Sequence, residues 1–589
     1  MNPLSRNLLL ASLLALAACA NHEQGQSGSR SDQPALTQAP AENKPASAQA
    51  AQGALLKQKK DEEVAAGAAR REERPAAAPE ARRMMAGDVY MAPAVVAPAP
   101  APAYLPQMTQ EREQYGTIVE NGVKQVAAEP VSTFSIDVDT GAYANVRRML
   151  NAGRLPPADA VRVEEMINYF PYAYALPQGS APFAVHTEIA PAPWNAQHQL
   201  LRIGIKGQDV AKASLPPANL VFLVDVSGSM DTSDKLPLLK SALKLLINQL
   251  RPQDKVSLVT YASGTQVVLE PTSGAHKARL LAALDNLHAG GSTAGAAGIT
   301  LAYDMAQQGY VRGGINRILL ATDGDFNVGV TSFEALKSMV EEKRKGGVSL
   351  STLGFGVGNY NEKLMEQIAD AGNGNYSYVD TLNEGQKVLV NEMTSTLATI
   401  AKDVKIQIEF NPAVVSEYRL VGYENRMLKR EDFNNDKVDA GEVGAGHTVT
   451  ALYELTLKGQ PGSVDPLRYG KGHADLADKA AELAFLRLRY KAPDGDESRL
   501  VEWPLQRQQA QTSFAHASAE FRFAAAVAAF GQQLRGGKYT GSMSYDDIAR
   551  IAAGARGEDA YGYRGEFLRL VKLAESLSTG KPEPVTVER

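Results

Sequence analysis

Residues 221–230 read VFLVDVSGSM, an apolar run that ends in Asp225 and continues with Ser227 and Ser229 at alternate positions. The run belongs to LVFLVD (220–225), which has the length and the apolar character of a strand that is buried on both faces. In open α/β sheets, ligands bind beyond the carboxyl ends of the strands. The stretch therefore predicts a central strand that delivers one carboxylate and two hydroxyls to a binding edge.

Short apolar strands alternate with amphipathic helices from about residue 217 to residue 402. The first strand is followed by a helix over KLPLLKSALKLLINQL (235–250) and a strand over KVSLVTYA (255–262). The same alternation returns around NRILLATDG (316–324) and VSLSTLGFGVG (348–358). Such strand–helix units predict an α/β fold with a mostly parallel sheet and helices on both faces.

Two further segments bring oxygen donors to the same edge of the predicted sheet. LLATDGD places Asp323 at the end of a second strand, and HAGGSTAGAAG (288–298) places Thr293 in a Gly-rich loop that opens a helix. The predicted metal site has five oxygen donors from three loops: Asp225, Ser227, Ser229, Thr293 and Asp323. Because the set contains no thiolate and no imidazole, it favours Mg²⁺, Mn²⁺ or Ca²⁺ over zinc or copper.

These five residues on this scaffold resemble the metal-ion-dependent adhesion site (MIDAS) of von Willebrand factor type A (vWA) domains. The resemblance covers about 217–402, and GFGVGNYNEKLMEQIADAGNGNYSYVD (354–380) is similar to the closing part of that Rossmann-like fold. It implies that the three hydroxyls contact the ion and that the two carboxylates bind it directly or through water. It further implies that an Asp or Glu of a protein partner completes the coordination shell. The expected ion is Mg²⁺, with Mn²⁺ or Ca²⁺ as alternatives.

The sequence on both sides of this unit has the period-two pattern of antiparallel strands. FAVHTEIA (183–190) and QLLRIGIKG (199–207) precede the unit, whereas KIQIEF (405–410) and HTVTALYELTL (447–457) follow it. We therefore predict that the α/β unit is inserted in a β-sandwich built from both flanks; two separate small β domains are the alternative. From about residue 514 the pattern is helical.

Two acidic residues, Asp137 and Asp139, lie on the predicted strand STFSIDVD (132–139). They could form a second acidic site. Because Phe134, Ile136 and Val138 alternate with them, however, the strand pattern predicts that both acids face solvent on a half-buried strand.

The N-terminus, MNPLSRNLLLASLLALAACA, has a basic start and a short apolar stretch that ends at Cys19. Leu16-Ala17-Ala18-Cys19 resembles the lipobox of bacterial lipoproteins, in which the cysteine is lipidated; an ordinary signal peptide with an incidental cysteine is the alternative. Residue 20 is Ala rather than the Asp that retains many enterobacterial lipoproteins at the inner membrane, which favours an outer-membrane protein that faces the periplasm. Residues 20–110 are rich in Ala, Pro, Gln and Ser, and this composition predicts a disordered tether.

The order of these segments is similar to that of a bacterial lipoprotein family with a vWA domain, its own N-terminal segment and a C-terminal domain of unknown function. The expected segments are the signal peptide, the tether, an N-terminal α+β segment, the vWA domain, a β-rich domain and a C-terminal helical region: 1–18, 19–112, 113–215, 216–402, 403–512 and 513–589.

Several classes of function conflict with the sequence. A net charge of −5 over 589 residues gives no global field for nucleic acid. A phosphatase of the haloacid dehalogenase type needs an acid two positions after its Asp, where this chain has Ser227. A serine protease needs a His and an Asp held near its Ser, and the eight His residues of this chain show no accompanying motif. We therefore expect that the protein is not an enzyme and that it binds no small-molecule substrate. The expected protein is a lipid-anchored adhesion module for metal-dependent protein binding, and the alternative is an envelope scaffold or assembly factor that works without the metal.

Replacing Cys19 by serine tests the predicted anchor, because a serine in place of the lipobox cysteine cannot be lipidated through sulfur. We expect Cys19→Ser to move the protein from the membrane pellet to the soluble fraction. Fractionation in high salt, with Ser27→Ala as a control variant, measures this. Continued pelleting of Cys19→Ser would contradict lipid anchoring.

Overall fold

The computed structural model describes residues 113–179, 181–293, 295–324, 332–465 and 481–579. The predicted signal peptide, Cys19 and tether lie outside the described residues. The strands are β1 (Lys124–Gln125), β2 (Val131–Ser135), β3 (Phe183–Ala192), β4 (Asn195–Gly207), β5 (Ala218–Asp225), β6 (Lys255–Tyr261), β7 (Thr265–Ser273), β8 (Ile315–Thr322), β9 (Ser349–Phe355), β10 (Tyr376–Val379), β11 (Thr399–Phe410), β12 (Val415–Val421), β13 (Val443–Gly444), β14 (Thr448–Leu457), β15 (Glu482–Lys491) and β16 (Ser498–Gln506).

The α-helices alternate with strands in the middle of the chain and follow one another at its end. They are α1 (Gly141–Asn151), α2 (Val163–Asn168), α3 (Leu236–Gln249), α4 (Lys277–Asp285), α5 (Gly295–Gln308), α6 (Phe333–Arg344), α7 (Glu362–Ala371), α8 (Leu382–Gln386), α9 (Met393–Leu397), α10 (Ala519–Leu534), α11 (Tyr545–Gly554) and α12 (Tyr563–Thr579). No helix in these described ranges is long and apolar enough to cross a membrane.

The apolar run 220–225 lies at the start of the predicted vWA domain (216–402), called the vWA unit below. It forms the centre of a six-stranded sheet with the order β10-β9-β8-β5-β6-β7. Along β5, Leu220, Phe222 and Val224 pack with α3 and α4 on one face, whereas Val221 and Leu223 pack with α5, α6 and α7 on the other. Burial on both faces explains why the run is continuously apolar. The prediction of a mostly parallel sheet covered on both faces is confirmed, and the antiparallel edge strand β7 is an element that was not predicted.

The flanks of the vWA unit share two further sheets. One has the order β1-β12-β14-β4-β3, and the other joins β13, β11, β15 and β16, with β2 paired to β11. Strands that precede the vWA unit thus pair directly with strands that follow it, as β4 does with β14 and β2 with β11. The predicted insertion in a β-sandwich built from both flanks is confirmed, and the alternative of two separate β domains is wrong.

The sandwich and the C-terminal helices form three layers. Apolar side chains of both sheets fill the core between them, including Ile203, Ile408 and Tyr453. The outer face of the first sheet packs against α1, α2 and the three C-terminal helices. These layers bring the N-terminal segment and the C-terminal helical region into one hydrophobic core.

A cluster of buried charges joins the vWA unit to its flanks. Arg426, in the chain between β12 and β13, pairs with Asp137 at 3.3 Å, Asp139 at 3.0 Å and Asp370 of α7 at 2.8 Å. Asp137 and Asp139 are buried, so the prediction that they face solvent is wrong. Phe134, Ile136 and Val138 join one core as the alternation predicts, but β2 ends at Ser135, before both acids. Arg426, which also pairs with α7, covers the face that the pattern assigned to solvent.

Arg162 is the second arginine of this cluster. It pairs with Glu362 at 3.1 Å and Glu366 at 2.9 Å, both on α7, and with Glu165 at 3.3 Å. Burial raises the pKa of several acids in this cluster. Because carboxylates outnumber the two guanidinium groups, repulsion between the carboxylates adds to this rise. Burial raises the pKa of Glu164 to about 8, with the charges of Glu424 and Asp137 acting in the same direction.

This burial predicts that the fold is more stable in mild acid. An acid with a pKa of about 8 in the folded state and 4.5 in the unfolded state binds more protons when folded, so its contribution is complete below pH 4.5 and is lost as pH rises through 8. We expect the free energy of unfolding to fall with pH by on the order of 1 kcal/mol per unit between these values. Urea unfolding from pH 5.5 to pH 8 measures the slope.

The variant Glu164→Gln should make this slope shallower, because the amide does not titrate, while the other buried acids with a raised pKa keep their share. Glu342→Gln is the matched control, since the side chain of Glu342 is exposed, and it should keep the slope of the wild type. Parallel pH profiles for the wild type and Glu164→Gln would show that Glu164 is not the source.

Candidate metal centre

Two parallel neighbouring strands place the two predicted carboxylates at one edge. Val224 of β5 lies opposite Ala321 of β8, so Asp225 and Asp323 leave the sheet next to each other. The hydroxyl of Thr322 donates a hydrogen bond of 2.8 Å to Oδ2 of Asp225. Thr322, which the sequence analysis did not single out, thus links the ends of the two strands.

Asp225 organises the turn that carries the two serines. The backbone N–H of Ser227 donates to Oδ1 of Asp225 at 2.9 Å, and Oγ of Ser227 lies 3.1 Å from Oγ of Ser229. Burial raises the pKa of Asp225 to about 6; hydrogen bonds from Ser227 and Thr322 oppose this shift, and the charge of Asp323 adds to it. The carboxylate of Asp225 is thus buried at the end of β5, whereas Ser229 is exposed.

Backbone hydrogen bonds hold the Gly-rich loop against this turn. The N–H of Gly290 donates to the carbonyl of Val226 at 2.7 Å, and the N–H of Gly228 donates to the carbonyl of Gly291 at 2.9 Å. Thr293 follows two residues later and is buried. The loop therefore brings Thr293 to the edge that carries the serines, although these bonds are made by its neighbours and not by its own hydroxyl.

Asp323 has a partner that the sequence analysis missed. Nζ of Lys235 donates to Oδ2 of Asp323 at 2.9 Å and to Oδ1 of Asn359 at 3.2 Å, and Nδ2 of Asn359 donates to the same Oδ2 at 3.2 Å. The side chains of Lys235 and Asp323 are 7% and 0% exposed. Lys235 precedes α3 inside a run that reads as an ordinary amphipathic helix, so no pattern marks it.

The loop after β9 is shaped around the Lys235 side chain. Gly356 has a φ of +77°, and a Cβ at this position would overlap the aliphatic stem of Lys235. Two residues on, the N–H of Gly358 donates to Oε1 of Glu113 at 3.1 Å. The ordered start of the described chain therefore helps to fix the loop that carries Asn359.

The chemistry of these residues fits a hard divalent cation. All five predicted donors are oxygen atoms, and two of them are carboxylates. In the described part of the chain, no group of three or more His, Cys, Asp or Glu residues could hold a metal, so a site here depends on the hydroxyls as well. The structure brings the three loops to one edge; ligation by the five residues stays a prediction.

The chain matches three protein-family models in order along its length. The model described as von Willebrand factor matches residues 109–202, and the model described as von Willebrand factor type A domain matches residues 219–392. The model described as "Uncharacterized protein YfbK, C-terminal" matches residues 395–577. These matches include the vWA unit and the segments on both sides of it.

Individual relatives resemble either most of the chain or only its centre. The protein YfbK of Escherichia coli (strain K12) is 53% identical over 473 residues, which cover 79% of this chain and 81% of the relative. Human inter-alpha-trypsin inhibitor heavy chain H4 is 31% identical over 163 residues, covering 26% of this chain and 17% of that protein. Among solved structures, von Willebrand factor type A from Catenulispora acidiphila is similar with a TM-score of 0.37 and 17% identity, covering 68% of this chain and 92% of that chain.

Two glycines of the β9 loop provide a test of how Lys235 is packed. Gly356 and Gly358 both have positive φ, so alanine is strained at either position, but only at Gly356 would the added Cβ meet Lys235. We expect Gly356→Ala to lower the free energy of unfolding by about 1–3 kcal/mol more than Gly358→Ala does. Urea unfolding of both variants measures this difference, and equal losses would contradict the packing described.

Proposed function

Because the chain belongs to the family of the Escherichia coli protein YfbK and carries a von Willebrand factor type A domain, we propose that it is a lipid-anchored envelope protein that binds a protein partner through a divalent metal. The observation that carries this proposal is the convergence of Asp225, Ser227 and Ser229 with Asp323 and the Thr293 loop at one edge of the sheet. The activity is binding without catalysis.

Each part of the edge has a separate role in this proposal. Asp225 and Asp323 supply the negative charge that attracts a cation, and protein donors already orient both oxygens of Asp225 and Oδ2 of Asp323. The hydroxyls of Ser227, Ser229 and Thr293 add neutral oxygen donors. When bound, Mg²⁺, or Mn²⁺ or Ca²⁺ in its place, supplies an open coordination position for an Asp or Glu carboxylate of the partner.

The rest of the chain would position this module at the cell envelope. Lipidation of Cys19 would fix the protein to the membrane, in this proposal the outer membrane on its periplasmic side, and residues 19–112 would separate the folded part from the lipid surface. The sandwich holds the vWA unit at both ends, since β4 precedes it and β11 follows it. The carboxyl edge of the sheet would therefore be presented to a partner by a scaffold with a fixed attachment.

A specific contact supports a second candidate function, an envelope scaffold or assembly factor that needs no metal. The ammonium group of Lys235 already neutralises part of the charge of Asp323. If Lys235 balances the charge of Asp323, this edge of the sheet could hold a partner through hydrogen bonds and surface complementarity alone. The two functions differ in whether a chelator releases the partner.

Replacement of a carboxylate tests the metal site. We expect the wild type, freed of metal with EDTA, to bind Mn²⁺ in calorimetry, and Asp225→Asn and Asp323→Asn each to lose this binding because one charged ligand is gone. Asp304→Asn is the matched control, since Asp304 is exposed on α5. Unchanged Mn²⁺ uptake by Asp323→Asn would contradict the site.

Affinity purification from cell envelopes then separates the two functions. Partners that are lost both in EDTA and with Asp323→Asn support metal-dependent binding. Partners that are retained by the wild type in EDTA and by Asp323→Asn support the scaffold.

A further inference from the structure

The ammonium group of Lys235 lies beside the candidate metal centre, where it changes the charge that a metal ion meets. It donates a hydrogen bond to Oδ2 of Asp323 at 2.9 Å. We propose that Lys235 is a built-in counter-charge that weakens metal binding by the empty site and strengthens binding of an anionic carboxylate by the loaded site. This inference rests on the proposed metal-dependent function and adds a determinant of its affinity.

The packing indicates that Lys235 stays in place when an ion binds. Its stem fills the space next to Gly356, which has no side chain, and its ammonium group also donates to Asn359. The side chain is 7% exposed, so little room is left for it to turn towards solvent. Oδ2 of Asp323 accepts from both Lys235 and Asn359, so the ammonium group is held by two neighbouring side chains of one network.

The net charge of the site determines which ligand the metal-loaded form favours. Asp225 and Asp323 alone would give a charge of about −2, and Lys235 reduces it to about −1. Without the lysine, binding of a divalent ion would give a net charge of about zero. With the lysine, the same ion gives a net charge of about +1. Because charges interact strongly in a buried region, this excess positive charge favours a carboxylate as the final ligand.

A coupling between two ligands follows from this balance. The metal alone binds against the repulsion of Lys235, whereas the metal together with a carboxylate restores neutrality. By thermodynamic linkage, the carboxylate raises the affinity for the metal by the same factor as the metal raises the affinity for the carboxylate. In this proposal, the site is filled when a partner is present and is mostly empty otherwise.

Titration of the full chain with Mn²⁺ tests the inference, with and without acetate as the carboxylate probe and with chloride keeping the ionic strength constant. We expect Lys235→Met to bind Mn²⁺ about tenfold more tightly than the wild type in chloride. Acetate should tighten Mn²⁺ binding in the wild type and in Lys235→Arg, which keeps the charge, and should have much less effect in Lys235→Met. Lys244→Met is the matched control, since it removes a partly exposed lysine from α3, the helix that Lys235 precedes.

A second variant keeps the test decisive if Lys235→Met does not fold. Lys235→Gln is neutral but can still donate a hydrogen bond to Asp323, so it separates the effect of charge from that of positioning. We expect it to bind Mn²⁺ as Lys235→Met does. Thermal unfolding in EDTA establishes that each variant is folded. Equal or weaker Mn²⁺ affinity in the folded neutral variants, relative to wild type, would overturn the counter-charge role and leave the metal site intact. Mn²⁺ binding by the neutral variants but not by the wild type supports the counter-charge and contradicts metal-dependent function. Absence of binding in all of them overturns both.

Discussion

The parallel pairing of β5 with β8 is the constraint on which the candidate site depends. Its register sets Val224 opposite Ala321, so the residues that follow, Asp225 and Asp323, come from adjacent strand ends. The hydrogen bond from Thr322 to Asp225 ties these ends together. A shift of this register by one residue would turn the apolar side chains of β5 to the opposite faces and separate the two carboxylates.

The buried charge cluster extends this constraint to the flanks. Arg162 and Arg426, from segments outside the vWA unit, both contact carboxylates of α7, and α7 begins directly after the loop that carries Asn359. Glu113 holds the same loop at Gly358 from a third segment. The surroundings of Asp323 are therefore fixed by the whole folded assembly and not by the vWA unit alone.

The sequence predicted the features that depend on neighbouring positions. The apolar run of β5, the alternating units, and the oxygen donors at strand ends all follow from local patterns, and the structure places them accordingly. Lys235 and Asn359 could not be predicted, because they reach Asp323 from 88 and 36 positions away through the packing of a loop. The prediction that Asp137 and Asp139 face solvent was wrong for a related reason. A strand pattern gives the two faces of a strand, but only the tertiary structure decides which element covers each face.

The sandwich built from both flanks has a consequence for how the chain acquires its structure. Lys206 of β4 lies opposite Thr448 of β14, on the far side of the vWA unit in the sequence. One long edge of β4 therefore has no partner until β14 has been synthesised, and such long-range pairings form slowly. During that interval the unpaired edge is open to association with other chains. Because the whole vWA unit lies between β4 and β14, it must be synthesised before the sandwich can close, and the edge of β4 needs protection until then.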